Sequence, residues 1–374
     1  MLSNVEDESA EDAKRVLTLL CTAKRPLTVE ELIDGIAVEL GDDPKFNEDS
    51  RLPNEQDIRR ICPGFIEVDL HPKTNQSTMR IAHYSVQEYL ESDRIRRSNM
   101  ASFSIGRLEA NTEVASICLA YLMDPELCKT WVKRESVRTK YPLAVYAAEN
   151  WPAHYHEGSN METQLHRLAV RLFHSSSHDS RALESWVNLY KWDGYKRNGL
   201  GDRILSPIYL ASRLGLDAVV HELTSDPGSA FCRDKCYGNA LVAAAEHGHP
   251  TTIQVLVDHG VDVNYAGFEG TALHLASSKG NVKVVEALLD RGANIEAQDY
   301  RGKSPLYNAA FYGHEAVARL LLDRGANINP LGSFETPLES AASTGREKVR
   351  DRWLARSVRQ GALADQNCTA GAAG

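Results

Sequence analysis

The feature that most constrains how this chain can fold is its alignment on itself. Five segments open alike: Ser206-Pro-Ile-Tyr-Leu-Ala, Asn239-Ala-Leu-Val-Ala-Ala, Thr271-Ala-Leu-His-Leu-Ala, Ser304-Pro-Leu-Tyr-Asn-Ala and Thr336-Pro-Leu-Glu-Ser-Ala, with starts 33, 32, 33 and 32 residues apart. Nine residues after each start stands a glycine: Gly215, Gly248, Gly280, Gly313 and Gly345. A second glycine recurs later in the period as Gly260, Gly292 and Gly325. A Thr, Ser or Asn followed by proline is a helix start, because the hydroxyl or amide accepts an orphan backbone N–H and proline has none to lose. The first glycine suits a tight turn at positive φ. The apolar sets Val284, Val285, Leu288, Leu289 and Val317, Leu320, Leu321 then give each second helix a buried face.

Period and opening together resemble the ankyrin repeat. The resemblance implies a solenoid whose repeats are stable only when stacked, and it implies protein binding. Its partner would be a protein ligand on the concave face, chosen by the hairpin tips. Those tips carry Asp234, Lys235 and Tyr237, then Tyr265, Phe268 and Glu269, then Asp299, Tyr300 and Arg301, then Phe334 and Glu335. Tyr237, Tyr265, Phe268, Asp299, Tyr300, Arg301, Phe334 and Glu335 are the candidate partner-binding residues. The rings serve as anchors or merely cover neighbouring hairpins; the sequence leaves both open. In the fifth copy Arg350, Asp351 and Arg352 fall where the others place apolar residues, which reads as a polar cap or a frayed end.

Upstream, helix, helix, helix, strand, loop, strand follow one another. Ala13 to Cys21 reads as a helix, and a second opens with a Thr28/Glu31 capping box and a Leu27/Leu32 staple. Its buried face is expected to run on through Ile33, Ile36, Ala37 and Leu40. A third helix, from about Asn54, stops near Pro63-Gly64, and the segments from Phe65 and Met79 alternate as strands. A last helix is expected to turn Val86, Tyr89 and Leu90 inward. The stretches Leu17-Thr-Leu-Leu-Cys-Thr-Ala-Lys-Arg-Pro-Leu-Thr-Val-Glu-Glu-Leu and Arg80-Ile-Ala-His-Tyr-Ser-Val-Gln-Glu-Tyr-Leu resemble the winged-helix domain of the GPI inositol-deacylase type. In fungal NOD-like (STAND) proteins it follows the NACHT ATPase module. The resemblance implies that His83 is a weak candidate for nucleotide contact if a NACHT-containing chain is supplied in trans.

Between them the pattern is helical, with Val114, Ile117, Cys118 and Tyr121 on one face, then Leu143 to Ala148, then Leu165, Leu168, Leu172 and Phe173. The expected architecture is mainly α: a winged-helix domain over residues 11–97, a helical connector over 98–200, an ankyrin-repeat solenoid over 201–360 and a disordered tail over 361–374.

The chemistry the sequence excludes narrows the function. No Gly-x-x-x-x-Gly-Lys-Ser/Thr loop occurs, so no P-loop can cradle phosphates, and with Met1 close to the winged helix the ATPase half of the architecture is expected to be missing. There is no Gly-x-Ser-x-Gly elbow either, so neither catalysis nor a cofactor is expected. His154, His156, His166, His174 and His178 cluster in sequence, but His154 and His156 would point apart on a helix, and Cys232 and Cys236 lack a second ligand pair, so no metal is expected. A net charge of −9 gives no drive toward phosphate backbones. The third helix sets Arg59 and Arg60 beside Glu55 and Asp57, and the loop after the first long strand has one lysine, Lys73, which argues against duplex DNA.

An acidic N-terminus and the lack of an apolar run of about 20 residues predict a cytoplasmic or nuclear protein without a membrane span. The function expected is a protein-interaction module, the recognition part of a fungal STAND signalling protein. A winged-helix DNA-binding regulator and a truncated gene product without independent activity are the alternatives.

Overall fold

The structure, a computed structural model of the 374-residue chain, describes residues 9–70, 76–129, 134–158, 164–174, 181–190, 206–225, 240–267, 270–328 and 336–344. It forms two compact units, residues 1–204 and 205–374.

The first unit begins with α1 (Ala10–Thr22), β1 (Leu27–Thr28) and α2 (Val29–Ile36). The capping box is formed: Thr28 Oγ1 accepts the Glu31 N–H at 3.2 Å, and Glu31 Oε2 accepts the Thr28 N–H at 2.9 Å. Leu27 and Leu32 are both buried. Of the expected continuation to Leu40, Ile36 and Ala37 are buried but Ile33 and Leu40 are not. α2 stops at Ile36, and β2 (Val38–Glu39) folds back on β3 (Lys45–Phe46), leaving Ile33 and Leu40 only half-buried. Gly35 stands next to the end of the helix. It weakens the last turn, and its bare Cα lets α1 come so close that a Cβ would stand 2.9 Å from Leu19 Cδ1.

After α3 (Glu55–Ile61), capped by Asn54, come β4 (Ile66–Leu70) and β5 (Ser77–Ile81), antiparallel with Ile66 opposite Ile81. β1 pairs with the other edge of β5, so the sheet order is β1-β5-β4 and the arrangement is a winged helix. α4 (Tyr84–Glu91) buries Leu90, but Tyr89 is exposed and Val86 half-buried, contrary to expectation. A two-turn surface helix offers the core a narrower stripe than the apolar spacing implies.

Next follow α5 (Asp93–Arg96), α6 (Arg107–Leu122), α7 (Pro125–Lys129), α8 (Arg134–Lys140), α9 (Leu143–Gly158), α10 (Gln164–His174) and α11 (Ala182–Leu189). α6 is the hub: every residue from Val114 to Leu122 is buried, not one face only. α9 carries Pro152 in its interior, which frees the Ala148 carbonyl four residues earlier, and the Trp186 indole N–H donates to that carbonyl at 3.1 Å. Trp151 and Phe173 lie against Trp186, each with ring centroids 5.7 Å away. Trp131 and Trp192 lie outside the described residues.

Two buried polar clusters join the winged helix to these helices. Asp34 on α2 accepts from Arg51 Nε at 2.8 Å, from the Leu143 N–H at 3.4 Å and from the Tyr121 hydroxyl, and burial pushes its carboxyl up. His154 is fully buried between α1's end and α6. The Lys24 N–H donates to Tyr146 Oη at 3.1 Å, so the Tyr146 hydroxyl donates onward to His154 Nε2 at 2.9 Å. His154 Nδ1–H then donates to Asn111 Oδ1 at 2.7 Å, whose amide nitrogen is engaged by the Arg107 carbonyl. Every member is satisfied only with a neutral imidazole, and burial lowers the His154 pKa to about 4.

The second unit is built of helix pairs: α12 (Pro207–Leu214) with α13 (Asp217–Ser225), α14 (Ala240–His247) with α15 (Pro250–Asp258), α16 (Ala272–Lys279) with α17 (Val282–Asp290), α18 (Pro305–Tyr312) with α19 (Glu315–Asp323), and then α20 (Pro337–Ser343). A short hairpin, β6 (Ala266–Gly267) with β7 (Gly270–Thr271), precedes α16. Ser206, Ser304 and Thr336 cap their helices as the sequence predicts. The recurrent alanines 211, 244, 276, 309 and 341 are all fully buried. The buried faces of α17 and α19 run through Val284, Val285, Ala287, Leu288 and Val317, Ala318, Leu321, Leu322, with Leu289 and Leu320 at the margin. Gly345 and residues 350–352 lie outside the described residues.

Neighbouring repeats are joined by a ladder. His249 Nε2 donates to the Arg213 carbonyl at 3.0 Å, Asn281 Nδ2 to Ala245 at 3.3 Å and His314 Nε2 to Ser278 at 2.8 Å, one period apart each time. The same rings press on the turn glycines: a Cβ on Gly215 or Gly280 would collide with His249 or His314. These glycines therefore meet two demands, a φ of +69° or +76° and a close approach.

Candidate interaction surface of the repeats

The fourth repeat opens with a tight turn that its own acid builds. Asp299 Oδ1 accepts the N–H groups of Arg301 (2.8 Å) and Lys303 (2.9 Å), its own N–H donates to the Lys303 carbonyl at 3.0 Å, and Gly302 sits at φ +72°. The Asp299 carboxylate is thus committed to the turn. Tyr300 and Arg301 take the apex: Tyr300 is 62% exposed, with the Arg301 guanidinium 5.0 Å from its ring centroid.

The preceding repeat fixes the turn. His274 is buried on α16; its Nδ1 accepts the Thr271 N–H at 3.2 Å and its Nε2 donates to the Lys303 carbonyl at 2.9 Å, which sets the neutral tautomer. Burial lowers its pKa. Tyr265 is half-buried in its own turn, where its N–H donates to the Asp262 carbonyl at 3.1 Å. Tyr237, Phe268, Phe334 and Glu335, with Asp234, Lys235 and Glu269, lie outside the described residues.

Sequence reasoning missed Phe311 and Tyr312, which are 39% and 50% exposed at the end of α18. Phe311 stacks on Tyr307 at 6.2 Å and meets Tyr312 edge-on at 5.1 Å, while Lys303 Nζ sits 3.5 Å from the Tyr307 centroid. A column comparison would have found them. The equivalent pairs are Glu246 with His247 and Ser278 with Lys279, and Lys279 reaches back to Glu246 at 3.4 Å.

The remaining candidates are placed as follows. His83 is exposed as the N-cap of α4, two residues past the end of β5, and its Nδ1 accepts the Ser85 N–H at 3.2 Å. His154 is buried and His156 exposed, so they do point apart, and no group of metal-ligating side chains is present among the described residues. His178, Cys232, Cys236 and Lys73 lie outside them. On α3, Arg59 pairs with Glu55 at 2.8 Å and Arg60 with Asp57 at 3.3 Å. No described helix is long and apolar enough to cross a membrane.

The comparisons agree with this architecture. The winged helix domain of GPI inositol-deacylase matches residues 3–105, ankyrin repeats in three copies match 208–299, and a further ankyrin repeat matches 301–332. The chain therefore carries a winged helix domain of the GPI inositol-deacylase type followed by ankyrin repeats. The fifth copy, from Thr336, lies beyond those matches, although Pro337, Ser340 and Ala341 of its first helix are buried. Among named relatives the chain is 38% identical over 285 residues to the azaphilone pigments biosynthesis cluster protein L of Monascus ruber. That alignment takes in 70% of this chain and spans 58% of the relative's length.

Proposed function

We propose that this chain is a protein-interaction module, the ankyrin recognition part of a fungal STAND signalling protein, acting on a protein ligand held at the concave face of the repeats. The observation that carries this is the fourth-repeat turn, which holds Tyr300 and Arg301 outward on a backbone locked by Asp299 and His274. Rigid presentation of an exposed ring and a guanidinium is what an interface anchor requires. The winged helix order supports a STAND context, in which His83 is a weak candidate for nucleotide contact if a NACHT module is supplied in trans. A relative named for a pigment biosynthesis cluster supports seeking the ligand among proteins of such a cluster. The ion pairs on α3 neutralise both of its arginines and disfavour reading of duplex DNA.

Affinity capture with the full chain tests this, comparing wild type with Tyr300→Ala and Phe334→Ala. A protein captured by wild type and released by either variant is expected. Capture of no protein, together with salt-dependent retention of duplex DNA, would replace this reading with the DNA-binding one.

A further inference from the structure

Among the described residues of the 205–374 unit, the large apolar side chains that stand exposed are Tyr300, Phe311 and Tyr312, and all three belong to the fourth repeat. In the second and third repeats the same column is polar, bridged by the Glu246–Lys279 pair. The fourth repeat thus concentrates its apolar exposure in one strip, Tyr307, Phe311 and Tyr312, next to a turn bearing Tyr300. Two cations lie on these rings, Arg301 over Tyr300 and Lys303 over Tyr307. Two acids of the repeat are already engaged: Asp299 accepts N–H groups within its turn, and Glu315 pairs with Arg319 at 2.8 Å. Arg301 makes no ion pair with any described residue.

We infer that this strip binds an extended acidic peptide segment of another protein, its carboxylates set at Arg301 and Lys303 and an apolar side chain packed against Phe311 and Tyr312. The inference rests on the reading that the repeats bind protein, and it adds the chemistry of the ligand. Charge complementarity selects the occupant. A basic segment would meet two cations, a neutral one would desolvate them without replacement, and a second copy of the strip would oppose like charge to like. In a chain of net charge −9, a locally cationic aromatic strip also attracts an acidic segment that the rest of the surface repels.

The test is selection of short random peptides displayed on phage against the full chain at about 0.15 M salt. Selected peptides are expected to combine Asp or Glu with an aromatic or aliphatic residue. Synthetic copies should bind at least about tenfold more weakly to the Phe311→Ser/Tyr312→Ser variant. The charge-reversed variant Arg301→Glu/Lys303→Glu should lose them and select Lys- and Arg-rich peptides instead, a gain that a misfolded variant does not produce. Peptides without acidic enrichment, or bound equally by both variants, overturn the inference while leaving protein binding by the stack intact. Retention of neither peptide nor protein by wild type removes both readings.

Discussion

Acidification should weaken the first unit through one imidazole. His154 has no exposed surface, donates through Nδ1 to Asn111 and accepts through Nε2 from Tyr146, so a second proton would bury a charge and leave the Tyr146 O–H without its acceptor. Its folded pKa is about 4, against 6.5 for an unhindered imidazole. The unfolded chain therefore takes up a proton as the pH falls past 6.5, whereas the folded chain does so only near 4. Stability from this group is complete above the upper value and is lost as the pH drops through the window. At about 1.4 kcal/mol per unit the full span is about 3.4 kcal/mol, of which roughly 2.6 kcal/mol is gone by pH 4.5. Urea unfolding followed by tryptophan fluorescence reads the unit, since Trp151 and Trp186 are fully buried in it. The control is His154→Gln, which offers one donor and one acceptor but does not titrate. Between pH 7 and pH 4.5 the wild type should lose about 2 kcal/mol more than this variant. Equal losses would refute the neutral, buried imidazole.

Other expectations concern the glycine turns, the buried acid and the apex ring. Gly280→Ala should lower the thermal midpoint of the repeats markedly, costing about 2–3 kcal/mol, because it combines positive φ with a collision on His314. Gly292→Ala, at φ +84° but with open space around it, should cost only about 1 kcal/mol in the same circular dichroism melt. Asp34→Ala should destabilise the first unit by about 2 kcal/mol in urea, since it strands the buried Tyr121 hydroxyl, while Arg51 keeps Glu48 and the Lys140 carbonyl. Tyr300→Ala should leave the melt within about 0.5 kcal/mol of wild type, as expected of a ring mostly in solvent.

What was legible in the sequence was whatever is written locally or repeated. The Thr28/Glu31 box, the Ser304 and Thr336 caps and the turn glycines each depend on residues a few positions apart, and five copies made the solenoid plain. What escaped depends on distant partners. The bare Cα of Gly35 answers to Leu19 on another helix, and α6 reads as one-sided because its far neighbours lie elsewhere in the chain. No spacing rule joins Asp34 to Tyr121 or Pro152 to Trp186. At the candidate surface the aromatic apex was visible at Tyr300, because turn residues announce themselves. Phe311 and Tyr312 were hidden by helical periodicity, which treats a large ring as core by default.

The ladder from His249 to Arg213, Asn281 to Ala245 and His314 to Ser278 joins successive repeats through equivalent rungs. Each rung needs only an N–H from the following repeat and a carbonyl from the preceding one, and histidine or asparagine serves equally. Removing or duplicating one whole period would bring an equivalent donor to an equivalent carbonyl, whereas inserting a single residue would break a rung. The bond from His274 to the Lys303 carbonyl is less general, because the second repeat has Val242 at that position, so the fourth-repeat turn keeps its support only while the third repeat precedes it.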